Sequence, residues 1–255
     1  MAPSRRRLAP NTVCYLCSHP IAEGQNWNRD HIPPSRFFGS DLKTSLNPQL
    51  QWLPTHVECN SDYRQDEELF VLNAVFLASA TDSVAADAVL ADIRRGLNKG
   101  QQHGLFRSIG PQFRPSHQAD GAVSFSYDGE RTLRVIWKIV RGLYTLHMGR
   151  SLHTDVPHHC YPLIGPFRAV EQLNRIEWIE DVLLLGQSLG RHTQVFDYRW
   201  LCLLHPAQPA LRVHGIALLL WDRVIAPVLI HDVTCGCLQC AALGEGSIGS
   251  RPQGR

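Results

Sequence analysis

The spacing of apolar residues changes period along this chain, and each change marks an element. Gln25 to Ile32 and Gln49 to Leu53 read as two short strands. Pro33-Pro34 closes the first, because proline donates nothing to a sheet ladder. Gly39, Ser40, Asp41, Asn47 and Pro48 predict a loop between them. Thr55-x-x-Glu58 fits a capping box that opens a helix at about His56, with a start at Asn60-Ser61 as an equal alternative. The period is then helical: Leu69, Phe70, Leu72, Val75 and Phe76 line one side, behind the acidic face of Asp66, Glu67 and Glu68. Asp82 or Ser83 caps a second helix carrying Val84, Ala88, Leu90, Ala91 and Ile93, which Gly96 and Gly100 end.

Residues 101–121 are rich in glycine and proline and read as loop. Val123 to Tyr127 alternates like a strand, and Asp128-Gly129 reads as a turn. Glu130 to Gly149 is helical, with Leu133, Ile136, Trp137 and Val140 toward a core. Arg134, Lys138 and Arg141 fall together on another face and predict a basic stripe open to solvent. A loop over 151–168 and a helix from Ala169 to Gly186 follow. Gln194–His205, Val213–Trp221 and Val224–His231 predict a small antiparallel sheet. The expected class is α+β. The expected divisions are a basic tail over 1–12 (with Arg5, Arg6 and Arg7), a module over 13–80, an accessory α+β domain over 81–240 and a disordered tail over 241–255.

Charge changes this picture in one respect. The formal net charge of the 255 residues is only +2, so any surface that meets a polyanion has to be local. The stripe of Arg134, Lys138 and Arg141 is the candidate outside the module, and a solvated face is its bland alternative. There is no apolar run long enough to span a membrane and no signal-peptide pattern, so a cytoplasmic protein is expected. In that reducing setting the eight cysteines read as metal ligands rather than disulfides.

The chemistry concentrates between Cys14 and Glu68. Cys14-x-x-Cys17 and His56-x-x-Cys59 supply three thiolates and one imidazole, the soft donors of a tetrahedral structural zinc site. Ordinary buried thiols are the alternative, and His19 is a rival fourth ligand. Cys237 and Cys240, with Cys235 beside them, form another close group without an evident partner pair. His158-His159-Cys160, with His153 nearby, lacks one too.

Between the zinc pairs lies Asp30-His31-x-Pro33-Pro34, and after them Cys59-Asn60 leads into the acidic helix. This set resembles the HNH endonucleases, most closely a bacterial subgroup with a structural zinc, over about residues 12–80. Lys138-x-x-Arg141-Gly142-Leu143-Tyr144 is similar to a segment that follows the module in the same subgroup. The resemblance implies a ββα-metal fold and hydrolysis of DNA phosphodiester bonds that depends on magnesium or another divalent ion. His31 would be the general base, with Asp30 and Asn60 the oxygen donors to the divalent ion. Such a base and such hard donors make chemical sense at neutral pH. Apart from the resemblance, Arg64 lies one turn past Asn60, where a phosphate contact and a solvated surface charge are equal alternatives. The sequence departs from the pattern twice: His56 stands at a position that is usually cysteine, and Gln51, or Asn47, or neither, takes the place of the central asparagine. That second departure keeps a catalytically silent zinc module, binding DNA or a protein, as the alternative.

Overall fold

The computed structural model of the chain describes residues 12–46, 48–79, 82–98, 113–115, 123–125, 128–153, 156, 158–165, 176–205 and 208–231. Helices combine with sheets whose paired strands are all antiparallel, an α+β arrangement. β1 (Trp27–Ile32) and β2 (Gln51–His56) form a two-stranded ribbon that sets Asp30 opposite Leu53 and His31 opposite Trp52. Pro54 is tolerated in β2 because neither strand has a second neighbour.

The segment between these strands is not the plain loop expected. It carries helix α1 (Ser40–Leu46), whose first residue donates from its backbone N–H to Asp92. The short helix α2 (Val57–Ser61) follows β2 directly. The capping box does not form: Thr55 lies in β2 and its hydroxyl donates to Asn28 Oδ1 instead. α3 (Arg64–Ser79) and α4 (Val84–Asn98) come next. Ser83 caps α4, accepting from the Ala86 N–H. Gly96 does not end this helix, which runs on for two residues.

β3 (Phe113–Pro115) and β4 (Val123–Phe125) pair with each other. α5 (Gly129–Met148) is capped by Asp128, which accepts from the Arg131 N–H, and ends on Gly149 at φ 66°. Asp128-Gly129 is therefore a helix start rather than a hairpin turn. β5 (His158–Cys160), α6 (Glu177–Leu185), β6 (Gln187–Ser188), β7 (Phe196–His205), β8 (Gln208–Leu220) and β9 (Val224–Ile230) complete the order. Their sheet runs β5-β9-β8-β7-β6.

One cluster of buried side chains extends from Cys14 to Ile230. Trp221 pins it: the ring is buried against Phe37, and its indole N–H donates to the Phe37 carbonyl. β8 is buried on both faces, with Ile216, Leu218 and Leu220 in the main cluster and Ala217 under Ile179 and Val182 of α6. On α5, Val135, Ile136, Ile139, Val140 and Leu143 are almost fully buried. Each contributes about 1.5–3 kcal/mol of burial. Gly142 lets this helix close on β1, since a Cβ there would sit 2.5 Å from Ile32 Cδ1. That approach brings Lys138 against Asp30 of the ribbon, and Arg141, one turn on, against the Leu16 and Leu152 carbonyls.

No helix among the described residues is long and apolar enough to cross a membrane.

Candidate functional site

Two clusters of polar side chains share the ribbon and α2. The first is sulfur-rich. The turn after Val13 carries Cys14 and Cys17, and the end of β2 and α2 carry His56 and Cys59. Their ligand atoms all lie within 4.8 Å of one another. Cys17 Sγ is 3.3 Å and Cys59 Sγ 3.8 Å from His56 Nδ1. A zinc tetrahedron with ordinary bond lengths has edges of about 3.5–3.8 Å, so the four donors fit a structural zinc ion. His56 presents Nδ1 to the thiols, and its buried Nε2 has no hydrogen-bond partner among the described residues. Burial, then the neighbouring thiols, push the Cys59 thiol well above its ordinary range. A zinc ion reverses that balance, because coordinating thiols are deprotonated. This is the one group of three or more metal-type ligands among the described residues.

The second cluster is oxygen-rich and sits deeper. Asp30, 6% exposed, points inward from β1, and Asn60 reaches it from α2. Both meet the ammonium of Lys138, which is only 1% exposed: Nζ lies 2.8 Å from Asp30 Oδ2 and 3.1 Å from Asn60 Oδ1. Glu67 Oε1 of α3 is a third acceptor at 2.5 Å. Nζ therefore donates to Asn60 and Glu67 and is ion-paired with Asp30. The surroundings orient these groups. Tyr15 donates its hydroxyl to Asp30 Oδ2 at 2.5 Å, and Asn60 Nδ2 donates to Asn28 Oδ1 at 3.4 Å, turning its Oδ1 toward Lys138. Burial raises the Glu67 carboxyl, against the pull of Lys138. Burial, then the Asp30 carboxylate, raises the Tyr15 hydroxyl well above its usual range.

His31 does not join this point. Successive strand residues face opposite ways, and His31 projects from the outer face of β1, paired across the ribbon with Trp52. Trp52 is partly exposed there, with the Arg29 guanidinium 4.4 Å above its ring. Burial holds the His31 imidazole below its ordinary value; Asp30 opposes the shift and Lys43 adds to it. That shift favours the neutral imidazole, the form a general base requires. Gln51 stands exposed opposite Ile32, and Asn47 lies outside the described residues.

The basic stripe of α5 is a correction. Arg134 is partly exposed, but its guanidinium pairs with Asp66 Oδ2 at 2.5 Å. Lys138 is buried as described. Arg141 is 2% exposed and donates from Nη1 to the Leu16 carbonyl at 2.6 Å and from Nε and Nη2 to the Leu152 carbonyl. It therefore fastens α5 to the Cys14–Cys17 turn. Helical spacing put these residues on one polar face; α3 and the zinc turn supply the partners that bury it. Arg64 is exposed, 3.8 Å from Glu68. His158, His159 and Cys160 are strand residues of β5. Arg5, Arg6, Arg7 and Cys235, Cys237 and Cys240 lie outside the described residues.

Sequence reasoning did not find Tyr15, Asn28 or the pairing of Glu67 with Lys138. Glu67 carried a weak signal, two helical turns beyond Asn60; the tyrosine and Asn28 carried none.

No family model matches the chain, and neither does any curated protein or any solved structure.

Proposed function

We propose that this chain is a zinc-supported endonuclease of the HNH type, hydrolysing DNA phosphodiester bonds. The observation that carries the reading is the convergence of Asp30 Oδ2 and Asn60 Oδ1 on one cation position, 2.8 and 3.1 Å from it. They do so within a strand–strand–helix unit whose ends are clamped by the sulfur cluster. The oxygen donors are of the kind magnesium takes. A divalent ion bound to them would stabilise the charge that develops on the scissile phosphate and the leaving oxygen. His31 takes the proton from the attacking water, and its lowered pKa keeps it neutral for that task. Arg29, stacked on Trp52 beside it, offers a phosphate a positive charge on the same outer face.

The test is plasmid cleavage with magnesium, wild type beside His31→Ala. Loss of the base should lower the rate by roughly 10²–10⁴-fold. Equal rates in the two proteins remove His31 from the mechanism.

A second reading has an observation of its own. The cation position is held by Lys138 and is buried, while His31 faces outward from the same strand. A module in that state binds DNA or a protein partner without cutting. It predicts salt-sensitive DNA binding with no cleavage in either protein.

A further inference from the structure

We infer that Lys138 is the resident cation of the oxygen centre, and that Lys138 and a divalent ion exclude each other from Asp30 and Asn60. The inference rests on the nuclease reading of those two residues and adds the regulation of their site.

The lysine ammonium donates to Asn60 and Glu67, at 3.1 and 2.5 Å, and forms an ion pair with the Asp30 carboxylate at 2.8 Å. It is shielded from water almost completely. A divalent ion needs the same oxygens at about 2.0–2.6 Å. It would then stand within van der Waals reach of the ammonium, and two like charges that close, away from water, repel strongly. One has to leave.

Lys138 can leave without moving the helix. Arg141 and Gly142 hold α5 to the zinc turn and to β1, one turn further along. The lysine stem is flexible, whereas that anchorage is rigid. Its ammonium already lies 5.2 Å from the Tyr63 ring, whose face also meets Arg134 toward the surface. A change of rotamer past Tyr63 opens the centre. The site is then closed at rest, and its apparent divalent affinity is lowered by the fraction of molecules with Lys138 seated.

The chain has three lysines, Lys43, Lys99 and Lys138, so their modification can be followed individually by mass spectrometry. The full-length wild-type protein is acetylated with and without saturating Mg²⁺. Lys138 is expected to resist acetylation without the ion and to react at least about tenfold faster with it, as displacement by a competing cation requires. Lys43, exposed on α1, should not change. Lys138 released by Mg²⁺ in a protein that cuts no DNA supports the inference and defeats the nuclease reading. Cleavage that needs both Mg²⁺ and His31 while Lys138 stays protected does the reverse. Protection without cleavage overturns both. As a second check, Lys138→Met with Glu67→Gln, which leaves only one buried carboxylate, should bind Mn²⁺ at least about tenfold more tightly than wild type. That gain should vanish when Asp30→Asn is added; a folded double variant with wild-type Mn²⁺ affinity also overturns the inference.

Discussion

The sulfur cluster and the oxygen centre stand side by side on the same ribbon and helix, and they differ in the source of their positive charge. The ligand atoms of Cys14, Cys17, His56 and Cys59 face one another, and Arg141 meets the backbone of their turn at the Leu16 carbonyl. Asp30, Asn60 and Glu67 face an ammonium supplied by the chain itself. The first needs an ion from outside to hold its thiols in their charged form; the second already holds a cation of its own, the Lys138 ammonium. The same helix serves both, through Arg141 at the zinc turn and Lys138 at the oxygens.

The sharpest way to break this contrast is to remove one half of the sulfur cluster. Cys14→Ser with Cys17→Ser should lose the tightly held zinc, about one per chain, together with the fold of residues 12–80. Structural zinc contributes roughly 10–16 kcal/mol in small zinc-dependent units. Metal analysis with circular dichroism checks this, and zinc retained at one per chain by the variant would place the ion elsewhere. Chelation of the wild type should have the same effect.

The oxygen centre should respond differently. Lys138→Met leaves two carboxylates without their counter-ion, and breaking a buried ion pair from one side costs about 3–5 kcal/mol. Adding Glu67→Gln should restore part of that, measured by urea unfolding. A double variant no more stable than the single would mean that the loss comes from packing rather than charge. Arg141→Ala tests the link between the two centres. It strands two buried carbonyls, those of Leu16 and Leu152, at about 1–3 kcal/mol each. It should also weaken zinc retention, whereas Lys138→Met should not.

The smallest effect concerns histidines between the long helix α5 and the sheet. Burial holds His158, His159 and His147 below their ordinary values. The unfolded chain therefore takes up protons first as pH falls below about 6.5. The stability these residues contribute is complete above that pH and declines toward their folded values. Urea midpoints at pH 7 and 5.5 should differ in that sense for the wild type, and less for His158→Gln. Equal pH dependence in the two proteins would remove His158 from the effect.

Much of the site was legible because its signals are local. The two x2 pairs, and Asp30 and Asn60 at their places inside and after them, need only spacing to be noticed. The helix of Lys138 was legible as well, within a residue at each end. Other features lay beyond local pattern. Thr55 matched a capping box, yet Asn28 across the ribbon takes its hydroxyl. Gly96 matched a helix end, yet α4 continues through it.

The chain's own order of residues determined the α+β class, the donors of the sulfur cluster, and two of the three oxygen residues of the second centre, Asp30 and Asn60. Only tertiary structure decided what Lys138 and Arg141 do. A period of 3.6 residues reports which side chains share a face of one helix; it carries nothing about what stands across from that face. Asp30, Glu67 and the Leu16 carbonyl, all more than sixty residues away in the chain, turned a solvent-like stripe into buried charge pairing.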